Sequence, residues 1–99
     1  MSTDSTLPLL KQFATYVTNH RIIHGGFQLE YKFENGFGAS LVQHQYSYGG
    51  KHGLYELAVL DKNGKLCYST PLTDDVLGFL SEQDVKEKLL DIQALPSQH

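Results

Sequence analysis

The chain has a single cysteine, Cys67, among its 99 residues, so no disulfide can form within it. That composition points to a reducing, cytoplasmic setting. Long apolar runs are missing too. No stretch reaches the roughly 20 residues that a membrane-spanning helix needs, and the first residues lack the charged-then-apolar layout of a signal peptide. There is no basic cluster: Asp and Glu number 11 against 8 Lys and Arg, the formal net charge is −3, and the two signs are interspersed. A polyphosphate requires a basic face, so nucleic acid is disfavoured as the main partner. Solenoid repeats and low-complexity tracts are likewise absent.

What is present is periodic. The hydrophobic fraction is 40% and falls in patterned segments, enough for one core at a length typical of a single domain. The expected organisation is one α+β domain over residues 1–99 with frayed tails at about 1–4 and 96–99.

Within residues 5–20, Leu10, Phe13, Ala14 and Val17 stand at i, i+3, i+4 and i+7, which predicts a helix. Asp4 or Ser5 can cap it, and Pro8 is tolerable in its first turn. Gly25 and Gly26 close the linker that follows. Strict alternation then sets Phe27, Leu29, Tyr31 and Phe33 on one strand face, with Gln28, Glu30 and Lys32 on the wet one. At Asn35-Gly36 a two-residue loop would leave Phe37 and Leu41 wet. A three-residue loop with Gly36 left-handed pairs Phe33 with Phe37, Tyr31 with Ala39 and Leu29 with Leu41. Because a one-residue slip flips every side chain, the apolar pattern selects the latter.

Residues 54–61 are apolar on both faces, as in a central or doubly covered strand. The second cover would come from helices split across the sheet or from a second copy of the chain, a possible homodimer. Lys62-Asn63-Gly64 repeats the bulged loop, pairing Asp61 with Lys65 and Val59 with Cys67. After Pro71 the period changes. Thr73 with Asp74 and Asp75 makes a strong N-cap, Val76, Leu77, Phe79 and Leu80 a short helix, and Ser81 with Asp84 a capping box that restarts or bends it. Val85, Leu89 and Ile92 form the buried stripe of the last helix, ended by Pro96. The predicted fold is a four-stranded antiparallel meander flanked by an N-terminal helix and one or two C-terminal helices.

The connection over residues 44–53 is too long for a tight hairpin, which marks it as a candidate contact loop. Tyrosine offers a large amphipathic surface at low entropy cost, and glycine and serine let the backbone adapt. Tyr46 and Tyr48 are the candidate anchors on a partner, with Gly49 and Gly50 shaping the loop and Lys51 and His52 as polar contacts. The structural alternative is that both tyrosines fold back over the sheet edge and the glycines merely turn the chain. Gly49-Gly50-Lys51 lacks the P-loop's spacing, its Ser or Thr after the lysine and its following helix, but a glycine-rich backbone can still form a small anion nest.

Catalytic and metal readings find less. His20 and His24 stand at i, i+4 beside helix-breaking glycines, and His44 and His52 flank the loop. No acidic or cysteine partner lies at a recognised zinc spacing, so surface histidines and no bound metal or cofactor are expected. Helix capping accounts for Asp74 and Asp75, and strand alternation buries Cys67 as an inert thiol. No Ser-His-Asp or Cys-His set assembles, so enzyme activity has no positive support.

The run Tyr31-Lys32-Phe33-Glu34-Asn35-Gly36-Phe37-Gly38-Ala39-Ser40-Leu41-Val42 resembles small uncharacterised proteins encoded by tailed bacteriophages. So do Ser47-Tyr48-Gly49, Leu54-Tyr55-Glu56-Leu57-Ala58-Val59-Leu60 and Thr70-Pro71-Leu72-Thr73-Asp74-Asp75-Val76. The likeness covers about two-thirds of the chain, leaves out the first predicted helix, and carries no assigned activity or functional residue. It implies a setting, the host bacterial cytoplasm. The expectation is a non-enzymatic protein that binds and modulates or inhibits a host protein. The alternative is a small-ligand or nucleotide binder using the glycine-rich loop.

Overall fold

The computed structural model describes residues 13–47, 49–66 and 77–96. Among them lie five strands and one helix. In chain order these are β1 (Val17–Ile23), β2 (Gly26–Lys32), β3 (Gly38–Gln43), β4 (Tyr55–Leu60), β5 (Leu77–Leu80) and α1 (Glu82–Gln93). The strands form one antiparallel sheet in the order β1-β2-β3-β4-β5. The fold is α+β with an open antiparallel sheet, but with five strands rather than four and no helix ahead of them among the described residues.

The register at the centre follows the apolar pattern. Leu29 pairs with Leu41 and Tyr31 with Ala39. The Phe33 N–H donates to the Phe37 carbonyl at 2.8 Å, and Gly36 takes φ 93° at the third loop position. The second bulged loop also forms. Lys65 accepts from the Asp61 N–H at 2.7 Å, and Gly64 is left-handed at φ 79°. Beyond it Leu66 makes an isolated bridge to Leu60, while the expected partner Cys67 lies outside the described residues.

The N-terminal helix expected over residues 5–20 is corrected. Residues 1–12 lie outside the description, residues 13–16 form a 3-10 turn, and Val17 begins a strand. A helix through this segment would bury Ala14 beside Phe13, but Ala14 is exposed while Phe13 is only 1% so. The β-branched Val17, Thr18, Ile22 and Ile23 fit a pleated edge better than a helix. Ile23 pairs with Gly26, so His24-Gly25 is a two-residue turn with φ 51° and 77°, the type I′ geometry that suits strand twist. Thr18 is the extra residue of a bulge between Val17 and Asn19, its hydroxyl donating to the Glu30 carbonyl at 3.3 Å.

The short helix expected around Leu77 to Leu80 is also corrected. Ser81 adopts extended backbone angles and is the N-cap of α1, so no helix can run through it. The apolar residues before it pair instead with β4. The capping box starts α1 rather than restarting an earlier helix: Ser81 Oγ accepts from the Asp84 N–H at 3.1 Å, and Asp84 Oδ2 from the Ser81 N–H at 3.0 Å. The proposed cap at Thr73, Asp74 and Asp75 lies outside the described residues.

One face of the sheet carries the core. Val85, Leu89 and Ile92 of α1, all 0% exposed, pack on Leu29, Leu41, Leu57 and Val59. Each such burial stabilises by roughly 1.5–3 kcal/mol. Phe13 and Tyr16 extend this cover over Phe33, with ring centroids at 6.4 and 5.1 Å. Burial, with a smaller contribution from neighbouring Tyr55, pushes the Tyr31 phenol up to about 12. As expected, β4 is an interior strand buried on both faces, Ala58 and Leu60 lying opposite the core side at 7% exposure.

Candidate functional site

Three chain reversals meet at one end of the sheet: the His24-Gly25 turn, the loop between β3 and β4, and the passage from the bulged β5 into α1. The loop is built of successive hydrogen-bonded turns. Ser47 Oγ accepts from the His44 N–H at 3.0 Å and donates back to the His44 carbonyl at 2.9 Å. Gly50–His52 forms a single 3-10 turn between two left-handed glycines, Gly49 at φ 84° and Gly53 at φ 74°. The Gly49 carbonyl then accepts from Leu54 N–H at 3.0 Å, delivering the chain into β4.

These contacts assign tasks to the glycines. A Cβ on Gly50 would stand 1.9 Å from the His44 carbonyl oxygen. One on Gly49 would meet Leu54 and the Phe79 backbone at 3.0 Å. Gly50 shapes the loop against His44 and Ser47, and Gly49 seats it on Phe79 of β5.

Tyr46 is 71% exposed. Its ring is held at the base by His24, with centroids 4.9 Å apart at 77°, and His24 in turn meets His44 at 5.1 Å and 65°. The Tyr46 N–H donates to His44 Nδ1 at 3.1 Å, which requires that nitrogen to be unprotonated. So the phenol does not fold back into the core. Lys51 and His52 are exposed further along the same loop, and Tyr48 lies outside the described residues.

On the other flank stands Phe79. Tyr55 pairs with Leu80 and Leu57 with Leu77, so Gly78 and Phe79 together oppose Glu56 in a bulge. Phe79 has φ 56° and is 61% exposed. A bulky residue in this conformation is an outlier, with a strain of about 1–3 kcal/mol that the surroundings must hold. His24 and Phe79 are the two non-glycine residues of positive φ among those described, and both are here.

Two shallow recesses open between these groups. One, about 230 Å³, is lined by Gln45, Ser47, Gly49, Lys51, His52 and Phe79. The other, about 250 Å³, includes His24, His44, Gln45, Gly50 and Lys51. Lys51 and Gln45 border both. Among the described residues the one hydroxyl in their linings, that of Ser47, bonds to backbone rather than to an imidazole. Among the described residues no three His, Cys, Asp or Glu side chains converge as metal ligands, and no helix is long and apolar enough to cross a membrane, which says nothing of a β-barrel.

Sequence reasoning placed Tyr46, Lys51 and His52 together but missed two members. His24 stands four residues after His20 beside glycines that end a helical reading; in the structure His20 sits on β1 opposite Leu29 and His24 in the turn that follows. The legible signal was His-Gly between the branched Ile22-Ile23 and Phe27, a hairpin turn. Phe79 was assigned to a helix, although Gly78 and the capping box after it mark an extended approach. Asp74, Asp75 and Cys67 lie outside the described residues. Comparison with protein-family models, curated proteins and solved structures finds no match to this chain.

Proposed function

We propose that this chain is a small non-enzymatic binding protein of phage origin, acting in the host bacterial cytoplasm, that engages and modulates or inhibits a host protein. The contact surface is the loop end of the sheet: Tyr46, Tyr48, Lys51 and His52 together with His24 and Phe79. The observation that carries the reading is the pair of aromatic side chains, Tyr46 and Phe79, projecting into solvent from a hydrogen-bonded loop and a strained bulge. Exposed aromatics of this kind are typical anchors at the centre of protein interfaces. The phage setting and the host target are supported by the sequence resemblance alone.

A second reading, a small-anion or nucleotide binder, draws on His24, His44, Lys51 and three glycines around one recess. Size speaks against it. Both recesses fall below the roughly 300–1,000 Å³ of ordinary small-molecule sites.

Affinity capture from host lysate, comparing wild type with the Tyr46→Ala, Phe79→Gly double variant, tests the proposal. The expected result is a protein retained by wild type and lost by the variant, with both melting alike. Identical captures, or none, would contradict it.

A further inference from the structure

We infer that the partner this end of the sheet accepts is an acidic protein segment, one that places a carboxylate beside an aromatic or aliphatic side chain. The inference rests on the binding reading above and adds the chemistry of what is bound.

It starts from an asymmetry of charge. The whole chain is acidic at −3, yet among the described residues neither recess at the loop end has a carboxylate in its lining. Their polar groups are Lys51, His52, His24, His44, Ser47, two glutamines and backbone. The recess towards the other end of the sheet is the opposite, with Glu30 and Asp61 beside Lys32. Carboxylates do occur on adjoining elements: Glu56 on β4, and Glu82 and Asp84 in the first turn of α1. Asp84 is committed to the cap of Ser81, and Glu82 is close enough to Tyr55 to help burial raise that phenol's pKa. None of the three lines the recesses.

The amount of charge selects among anions. Among the described residues Lys51 is the single permanent cation in the linings, and it borders both recesses. A nucleic acid needs several such contacts, because its affinity scales with the phosphates neutralised. One lysine ringed by imidazoles suits one or two carboxylates. The apolar part of the ligand follows from Phe79, which shares one recess with Lys51, and from Tyr46, whose ring packs on His24 of the other. The Phe79 ring is largely exposed, and its burial against a partner side chain would add to the ion pair.

Panning a random twelve-residue peptide display library against the full chain tests this. Wild type should enrich sequences with Asp or Glu next to Phe, Tyr, Leu or Ile. The Lys51→Glu variant should lose them by tenfold or more and shift towards Lys and Arg. Phe79→Gly removes the ring and relieves the positive φ, so it should weaken the same peptides while melting no lower than wild type. Binding of the enriched peptide should fall only severalfold from 50 to 200 mM NaCl, against about 10³-fold or more for a ligand making many phosphate contacts. Peptides that depend on Tyr46 and Phe79 but show no acidic bias, or the same bias in Lys51→Glu, would overturn this inference and leave the binding reading standing. Tight, steeply salt-dependent binding of an oligothymidylate probe would overturn it in favour of nucleic acid. Failure to enrich any peptide would count against both.

Discussion

Asn35 shows how much one side chain can carry. Its Oδ1 accepts from the Phe37 N–H at 3.0 Å, holding the β2–β3 turn. Its Nδ2 reaches the carbonyls of Ile92, Leu95 and Gln93 at 2.8, 3.0 and 3.2 Å, at the end of α1 and just beyond it, where carbonyls run out of donors within the helix. The amide thus joins the central hairpin to the far end of the helix. Asn35→Asp keeps the turn acceptor but sets a carboxylate against the negative end of the helix dipole. Chemical denaturation at pH 7 should show a loss of about 1–3 kcal/mol, larger than that of Asn35→Ala and narrowing as acid protonates the new carboxyl. The turn role was legible from Asn35-Gly36. The capping role was not, because its partners are 57 to 60 residues away and nothing local encodes them.

At the scale of elements, local chemistry was read correctly wherever two signals agreed. The register of β2 and β3 was legible because alternation and the bulged loop pointed the same way. The stripe of Val85, Leu89 and Ile92 was legible for the same reason. β1 and β5 were misread because four or five apolar residues fit a helical spacing by chance, and tertiary pairing with a sheet edge decided otherwise. The capping box fixes the boundary between β5 and α1, and its electrostatics can be measured. The Ser81 N–H, with the Ser81 hydroxyl second, holds the Asp84 carboxyl below the usual carboxylate range. A depressed folded value means that Asp84 contributes stability above its unfolded pKa of about 3.9, and that the contribution is lost as pH falls through the folded value. Asp84→Asn should therefore melt lower than wild type at pH 7, with the gap closing in acid. Ser81→Ala should cost about 1 kcal/mol.

Across the whole molecule, the two ends of the sheet divide the work. One end carries the bulged loops at Asn35-Gly36 and Asn63-Gly64, the Asn35 clamp and the recess bearing Glu30 and Asp61. The other gathers His24, Tyr46, Lys51, His52 and Phe79 from three separate reversals of the chain. Sequence reading found the longest of these reversals by its length and composition. It missed the other two because each depends on a strand that periodicity had assigned to a helix. The site therefore stands or falls with β1 and its turn, since only that hairpin brings His24 to the loop. Proton NOE spectroscopy of the free chain tests this directly. Cross-peaks between the ring protons of His24 and Tyr46, whose centroids are 4.9 Å apart, should appear together with cross-strand contacts of residues 17–23 to β2. Helical i, i+3 contacts running from Ala14 through His20, with no His24–Tyr46 cross-peak, would contradict the account.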